Sequence, residues 1–454
     1  MNNSMVRNVG AYQMAFQAMD ITSLPMRHAI EDWYRLYYLQ EATKEEDPCQ
    51  QIPYTIVRKL VRATFSEYIA TSKDAFASQI LDALRYVDGE AMQQAFIGGE
   101  SFLKPVPMKD GFRFTVGKRS NLLIFGRDAA GVPMDIGISE TSVHDKFYYT
   151  LLERRTVDAR GYLTIKNALY RSYTDTDLGQ AVSLSDLPQY ADLQDVYTFR
   201  EPVGSTGVVF VRTPMENCVD GSPDAVSVYA AAVGLIHGIN RNEAQLNGEF
   251  DRAKSRLIVS ADMFKKDKKG KAQLVDDIFT AVNDDPENTG VTIFSPAIRE
   301  QNFLARKQDY LRSAENIIGL KRGLLSEVEA VERTAKEITS SEGDYSLTIT
   351  DFQKSWERAV RETMRVCGIL GRLYHIPGAH EVAEDQVIIS WGNGVLFDEE
   401  RTRLRMLSEA QAGLLQPERY LGFTYKLPCD TPAQRARIRK DYMPEVAGEP
   451  EEDI

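Results

Sequence analysis

The chain has 454 residues, of which 43% are hydrophobic and 26% charged, and its formal net charge is −12. This length allows roughly two to four domains, and the composition is ordinary for a globular protein. No apolar run approaches the roughly 18–20 residues of a membrane span, and the N-terminus lacks the layout of a signal peptide. We therefore expect a protein that is made inside the cell and has no membrane partner.

The acidic balance argues against a conventional nucleic-acid-binding protein, because the contact surface of such a protein is basic. An acidic protein can still handle DNA where the requirement is passage rather than grip, because a lining that repels phosphate does not adhere to it. The charge therefore excludes tight binding more strongly than it excludes transport.

In chain order, the first hundred residues predict helices and the following hundred predict strands. The predicted helices cover residues 30–39, 56–68, 75–86 and 90–96, the last of which ends at Gly98-Gly99. The predicted strands cover residues 112–116, 122–125, 146–153, 162–165, 168–173 and 208–211. Turns rich in Gly and Asp separate these strands, so we expect an antiparallel sheet built from hairpins.

Residues 224–341 predict two long helices around a short insertion. Helices 225–253 and 297–319 carry apolar seams of nearly helical period, although Asn240 and Glu243 interrupt the first. The insertion between them contains strand candidates 256–259 and 290–294 and a lysine run. Two such helices joined by a compact insertion can pack antiparallel as a stalk.

The rest of the chain predicts helices and one strand. An acidic helix, 326–338, should break near residues 340–343, and an amphipathic helix should follow at 351–373. Further predicted elements are strand 386–390 and helices 399–412, 417–421 and 432–441. The acidic residues 449–454 predict a solvated end. The fold class is therefore α+β and predominantly helical.

Cysteine and histidine do not predict a metal centre. The four cysteines form no CxxC pair, which argues against a disulfide framework or a structural zinc site. His375 and His380 flank a Pro-Gly turn, but no nearby Cys or carboxylate pattern completes a ligand set. Residues 283–288 miss the calcium-loop spacing because of Pro286. We expect incidental loop histidines, no metal site and no cofactor.

Catalytic motifs are not found either. Residues 111–120 come nearest to a phosphate loop, but the glycines are one residue too far apart and the segment predicts a hairpin. Neither GxSxG nor HExxH occurs in the sequence. We therefore expect no catalytic residue and no enzymatic activity.

Four short segments resemble portal proteins of tailed bacteriophages, most closely those of siphophages that infect Gram-positive hosts. Residues 214–217 (PMEN) and 221–229 (GSPDAVSVY) resemble the start of the family's first stem helix, and 249–260 (EFDRAKSRLIVS) resembles its exit into the clip. Residues 334–340 (TAKEITS), after an IGL at 318–320, resemble a Thr-Ala-Thr-Glu-Ile/Val-x-Ser segment. Residues 409–421 (EAQAGLLQPERYL) resemble a C-terminal piece.

The sequence departs from the family pattern at several positions. Lys336 stands where the family usually has Thr, and Gln416-Pro417 replaces a Ser-Lys-type pair. The lysine run has no counterpart that we can place. These departures leave the implied architecture unchanged.

The resemblance implies an α/β wing, a two-helix stem, a small α/β clip and a helical crown. The implied bounds are wing 1–224, stem helices 225–254 and 297–320, clip 255–296, wing return with tunnel loop 321–364, and crown 365–454. Portal proteins form a ring of roughly twelve subunits at one capsid vertex, which is a closed cyclic assembly. The ring nucleates head assembly and conducts double-stranded DNA, without regard to sequence, during packaging and ejection.

The implied partners and location follow from this role. The expected partners are other copies of the chain, DNA, the terminase, the head-completion adaptor, and the major capsid and scaffolding proteins. The expected location is the virion. ATP hydrolysis belongs to the terminase, so the portal itself is a structural protein.

Three groups of residues are the candidate sites. The tunnel loop along the DNA channel would contain Glu337, Thr339, Ser340, Ser341, Glu342, Gly343 and Asp344. The charged stem face would contain Arg299, Arg306, Lys307 and Arg312. The clip loop, which would contact a partner or DNA, would contain Lys265, Lys266, Lys268, Lys269 and Lys271; its alternative interpretation is an exposed, solubilising hairpin.

Two other functions stay open at this point. The chain could be another virion structural protein, such as a minor capsid or adaptor component. It could instead be a metal-dependent DNA-processing enzyme, although no clustered carboxylate pair at strand ends supports this interpretation.

Overall fold

The structure is a computed structural model that describes residues 4–38, 49–253, 256–259, 264–266, 272–274, 291–294, 297, 299–327, 335–391, 399–425, 427–429 and 431–443. The chain divides into two compact units. One contains Met1–Phe65 and Ile69–Ile389, and the other contains Ser66–Tyr68 and Ser390–Ile454. The described elements are a mixture of helices and antiparallel sheets, as the sequence predicts.

The N-terminal part of the first unit is helical, which confirms the prediction. Its elements are α1 (Ser4–Phe16), α2 (Leu24–Tyr37), α3 (Ile52–Thr64), β1 (Ile69–Ser72), α4 (Ala75–Leu84) and α5 (Asp88–Gly98). The Ser23 side chain accepts a hydrogen bond from the Met26 amide, and Asp74 caps α4 in the same way. Gly99 ends α5 with φ of +87°, in the region that favours glycine.

A three-stranded antiparallel sheet follows, in the order β10 (Val209–Arg212), β2 (Glu100–Met108), β3 (Gly111–Lys118). The segment that came nearest to a phosphate loop lies in the β2–β3 hairpin, as predicted. Gly117 pairs with Phe102, and a Cβ at Gly117 would lie 1.9 Å from the Phe102 ring. This glycine therefore makes room for an aromatic side chain rather than a phosphate.

The larger sheet is antiparallel with the order β4-β5-β6-β7-β8, and β9 also pairs with β7. Its strands are β4 (Leu122–Arg127), β5 (Pro133–His144), β6 (Phe147–Val157), β7 (Leu163–Ser172), β8 (Gln180–Val182) and β9 (Val196–Thr198). Strand β5 was not predicted, and β7 is one strand where the sequence suggested two. The turns before β5 and β7 are built on Asp128 and Asp158, and each of these carboxylates accepts two backbone N–H bonds.

The two long helices and their insertion have the predicted order. They are α6 (Val233–Arg252), β11 (Arg256–Val259), β12 (Phe264–Lys266), β13 (Ala272–Leu274), β14 (Val291–Phe294) and α7 (Glu300–Ile318). Strands β11 and β14 pair antiparallel, with Arg256 opposite Phe294, and β12 pairs antiparallel with β13. Helix α6 starts about two turns later than predicted, because residues 224–229 are irregular and a short 3-10 turn, Ala230–Ala232, precedes it.

The predicted break at residues 340–343 is wrong. A single helix, α8, covers Ala335–Leu373 without interruption, so the helices predicted on either side of the break are joined. Ser326 and Glu327 lie outside it, in an irregular segment. The long helix is held by its second half, where Phe352, Trp356 and Val360 are buried and the Trp356 ring meets Phe65 edge-on at 5.4 Å.

The first unit ends with β15 (Val387–Ser390), which pairs with β1. The second unit contains α9 (Glu399–Gln411), α10 (Pro417–Tyr425) and α11 (Pro432–Tyr442), close to the predicted helices. Gly413 has a φ of +73° just after α9, a conformation typical of a glycine at a helix end. Leu404 in α9 is exposed. The acidic residues 449–454 lie outside the described residues.

Candidate functional site

Helices α6 and α7 pack antiparallel, and polar contacts link them along their length. Lys307 Nζ lies 2.8 Å from the Glu243 carboxylate, and the Arg299 guanidinium pairs with Glu249. The buried Asn242 side chain of α6 also donates a hydrogen bond to the Phe303 carbonyl of α7 at 3.0 Å. Residue numbers rise along one helix as they fall along the other, which defines the antiparallel pairing. The two helices therefore pack antiparallel, as the sequence predicts, and ion pairs and a hydrogen bond connect them.

Buried hydrogen bonds attach the segment that leads into α6 to the rest of the first unit. The Thr213 hydroxyl donates to the Val226 carbonyl at 2.6 Å, and the Tyr229 hydroxyl donates to the Trp33 carbonyl at 2.9 Å. A Cβ at Gly99 would lie 2.2 Å from the Ala225 carbonyl oxygen, so only glycine allows this approach. The base of the helix pair is thus fixed to α2 and α5.

Asn217 organises the loop just before this segment. Its amide nitrogen lies within 3.2 Å of acceptors on Asp220, Ser222 and Asp224, and its side-chain oxygen accepts from the backbone amides of Val219 and Asp220. The Asn217 side chain therefore stabilises the turn at residues 217–224 through all of these hydrogen bonds. This geometry gives a physical reason for the asparagine in the PMEN segment.

A buried charge network lies beneath the same loop. The fully buried Arg119 guanidinium is 3.0 Å from Glu100, and Arg212 contacts the other Glu100 oxygen at 2.9 Å. Asp224 accepts from Arg127 at 2.5 Å and lies 3.6 Å from Arg119. Burial by itself would raise the pKa of Glu100, but Arg212 and Arg119 hold it below its usual value. The network joins the β2–β3 hairpin and β4 to the segment that leads into α6.

One acidic residue of α7, Glu315, is buried near the end of the helix. The residue is 1% exposed, and its carboxylate accepts from the backbone amides of Gly323, Leu325 and Ser326 and from the Ser326 hydroxyl. A sequence signal was present, because Glu315 follows Leu311 by four residues and therefore shares its buried face. Glu315 anchors the loop between α7 and α8.

The four predicted stem residues are distributed unevenly over this helix pair. Arg299 and Lys307 hold α6 through Glu249 and Glu243, as described above. Arg306 lies over the Tyr310 ring at 5.3 Å and donates to its hydroxyl, and Arg312 is 3.8 Å from Asp309. The described contacts therefore use these cations within the helix pair itself.

The predicted tunnel-loop residues Glu337, Thr339, Ser340, Ser341, Glu342, Gly343 and Asp344 all lie in the first quarter of α8. The backbone there is helical rather than a loop, and Gly343 and Asp344 are exposed. A Cβ at Gly343 would meet no heavy atom within 4 Å. The segment is therefore a helical extension, and its place along a channel remains a prediction.

The lysine run is described in part. Lys265 and Lys266 lie in β12, opposite Gln273 and Ala272 of β13. Lys268, Lys269 and Lys271 lie outside the described residues.

His375 and His380, which flank the Pro-Gly turn, do not share a ligand set. The His380 ring lies 3.1 Å from the Asp74 carboxylate and 2.8 Å from the Gly378 carbonyl, and His375 adopts a φ of +56° after α8. Within the described part of the chain, no group of three or more His, Cys, Asp or Glu side chains is arranged to hold a metal ion. Among the same residues, none of the helices combines the length and apolar composition needed to cross a membrane.

An open pocket of about 720 Å³ lies between the end of α7 and the first half of α8. Arg312 and Arg322 line it together with Asp344 and Asp351, so its charges are mixed. The Glu315 anchor forms part of its wall. The pocket therefore brings the Glu315 anchor and Asp344, the last residue of the helical extension, into the lining of one cavity.

Comparisons with known proteins add little to this description. No family model matches the sequence, and no curated protein matches it. Among solved structures, the chain is similar to one from the neck of a native GTA particle computed with C12 symmetry. The two chains share 12% identity over 93% of this chain and 99% of that chain, with a TM-score of 0.45. Neither a family nor a function follows from a likeness at that level.

Proposed function

We propose that the chain is a phage portal protein, a virion structural subunit that forms a ring at one capsid vertex and conducts double-stranded DNA. The observation that carries the proposal is the antiparallel α6–α7 pair around a strand-bearing insertion. The segments that resemble portal sequences precede this pair, leave it and follow it. In this role α6 and α7 are the stem, and the insertion is the clip.

The charge arrangement supports conduction rather than tight binding. The chain is strongly acidic, and the described stem cations are paired with Glu243, Glu249 and Asp309 or lie on an aromatic ring. Such a wall holds phosphate weakly, because each contact must replace an existing pair. Residues 337–344 would then line the narrowest part of the channel as the first turns of α8.

The remaining assignments follow the same proposal. Residues 1–224 and 321–364 would form the wing, and 365–454 the crown. The clip would dock the terminase and later the head-completion adaptor, and the wing would meet the capsid and scaffolding proteins.

Negative-stain electron microscopy of the purified protein tests the proposal directly. We expect closed rings of roughly twelve subunits with a central hole, because a heterologous interface closes into a ring when its rotation allows. Monomers or open chains would count against it. Closed rings alone do not distinguish a portal from another virion component, so the same preparation should be tested for binding of purified terminase. Magnesium-dependent cleavage of DNA would favour the DNA-processing enzyme instead.

A further inference from the structure

Helix α11 of the second unit is short and basic, and a capping box closes its N-terminus. Its Thr431 cap accepts from the Gln434 amide, and the Gln434 side chain accepts in return from the Thr431 amide. On the inner face Ile438 is 4% exposed, and Arg435 donates to the Cys429 carbonyl at 3.1 Å. These contacts fix which side of the helix faces solvent.

The solvent side of α11 presents cations. Arg437 and Lys440 are three residues apart and both exposed, so they are neighbours on one helix face. The Arg437 side chain is 85% exposed, and Arg439, which pairs with Glu418, is still 69% exposed. In the sequence from 417 to 443, six Lys and Arg residues stand against three Asp and Glu residues, within a chain of net charge −12. The basic character is therefore local.

The existing partner of this face is weak. Arg437 lies 3.6 Å from Asp441, whose side chain is itself 47% exposed. An ion pair that is screened by water on both sides contributes little and exchanges easily. Duplex DNA presents about one negative charge per 1.7 Å of its axis, so it offers this face a much denser set of anions.

We propose that the exposed face of α11, defined by Arg437 and Lys440, binds the phosphate backbone of duplex DNA without regard to sequence. The inference rests on the proposed function, because it assigns to a DNA-conducting protein one surface that binds the DNA backbone. Residues that contact phosphate in this way position the duplex and carry no sequence information.

Fluorescence anisotropy of the full chain with a labelled duplex of random sequence tests the proposal over a series of salt concentrations. Arg437→Gln together with Lys440→Gln should weaken binding roughly tenfold at low salt. The slope of log K against log salt should fall by about 0.9 for each lost contact in each contacting protomer. A duplex of a second, unrelated sequence should give the same affinity.

A matched control removes an equal charge from an exposed face of another helix, α8, where Lys354 lies 3.5 Å from Asp351. Lys354→Gln with Arg358→Gln on α8 should leave both the affinity and the salt slope unchanged. Equal losses in the two double variants, or wild-type binding by the α11 variant, would overturn the assignment. Electron microscopy of the same samples separates the two hypotheses, since intact rings with unaltered DNA binding reject the α11 surface and leave the portal proposal standing.

Discussion

At the scale of single residues, Glu315 has the most specific task. Its buried carboxylate accepts four hydrogen bonds from the loop between α7 and α8. Hydrogen bonds to a charged acceptor are the stronger kind, and a buried donor left without one is costly. The loop is therefore tied to the end of α7 by one side chain.

Glu315→Gln should destabilise the chain by roughly 1–3 kcal/mol, because a neutral amide oxygen would replace the charged acceptor of the three backbone amides and the amide nitrogen would face the Ser326 hydroxyl. Urea denaturation gives the change in unfolding free energy, and amide hydrogen exchange should rise at Gly323 and Ser326. Asp309→Asn, an exposed change on the same helix, serves as control and should alter neither quantity. Unchanged exchange in the loop would contradict the anchoring role.

Glu153 should make the larger sheet sensitive to acid. It is buried, with Arg155 at 2.6 Å and Lys104 at 2.8 Å. Burial by itself would raise the pKa of Glu153, but these two cations lower it from 4.5 to about 2. Its contribution to stability is therefore present above about pH 4.5 and is lost as the pH falls toward 2. A difference of this size corresponds to about 3 kcal/mol.

Glu153→Gln should remove that part of the acid dependence and also lower stability at pH 7, because Arg155 and Lys104 lose their partner. Urea denaturation at pH 7 and near pH 3 measures both effects. Glu362→Gln, an exposed member of an ion pair, is the comparison. An unchanged slope of stability against pH in the Glu153 variant would show that other groups control the acid response.

At the scale of elements, strongly patterned segments were predictable, and those shaped by distant contacts were not. The hairpin turns at Asp128 and Asp158 and the α6–insertion–α7 order follow from local sequence. Strand β5 was missed because Gly137 weakens its pattern, and the structure explains that glycine, since the Tyr12 ring would lie 2.6 Å from a Cβ there. The contact crosses more than a hundred residues of sequence.

For helix α8 the sequence prediction failed in the opposite way, because it placed a break inside an element that is continuous. Gly343 and its serine and glutamate neighbours predict a break, but the helix continues. Local propensity costs only about 1 kcal/mol at a glycine, and the buried residues further along the helix outweigh it. The Glu100–Arg119 contact likewise could not be predicted, because nothing in the sequence pattern indicates which buried charges will meet.

Deleting residues 339–345 tests the role of the helical extension. Seven residues are close to two turns, so the deletion shortens α8 by about 10 Å and turns the remaining helix by only about 20°. The buried face from Ile349 onward should therefore keep its packing, and rings should still form. DNA packaging in an in vitro assay should fail if the segment lines the channel. A four-residue deletion, 340–343, rotates the helix by roughly 40° and tests whether phase or length matters.

At the scale of the whole molecule, the chain combines an acidic body with two local concentrations of positive charge. One is the exposed face of α11, and the other is the lysine run of the insertion, whose first two members lie in β12. A basic patch on an acidic protein attracts acidic partners over about a Debye length and raises their association rate. In the proposed function, the run would then serve as a docking surface at the clip.

Changing Lys265, Lys266, Lys268, Lys269 and Lys271 together to Ala should slow the association of the terminase or the adaptor and leave ring formation intact. The effect should be greatest at low salt, because exposed charges act over distances that salt shortens. Changing the same five residues to Arg preserves the charge and should preserve the rate. Surface plasmon resonance on assembled rings measures both variants. Wild-type association by the alanine variant would assign the lysines to solubility alone, whereas loss with both variants would mean that docking depends on the lysine side chains themselves.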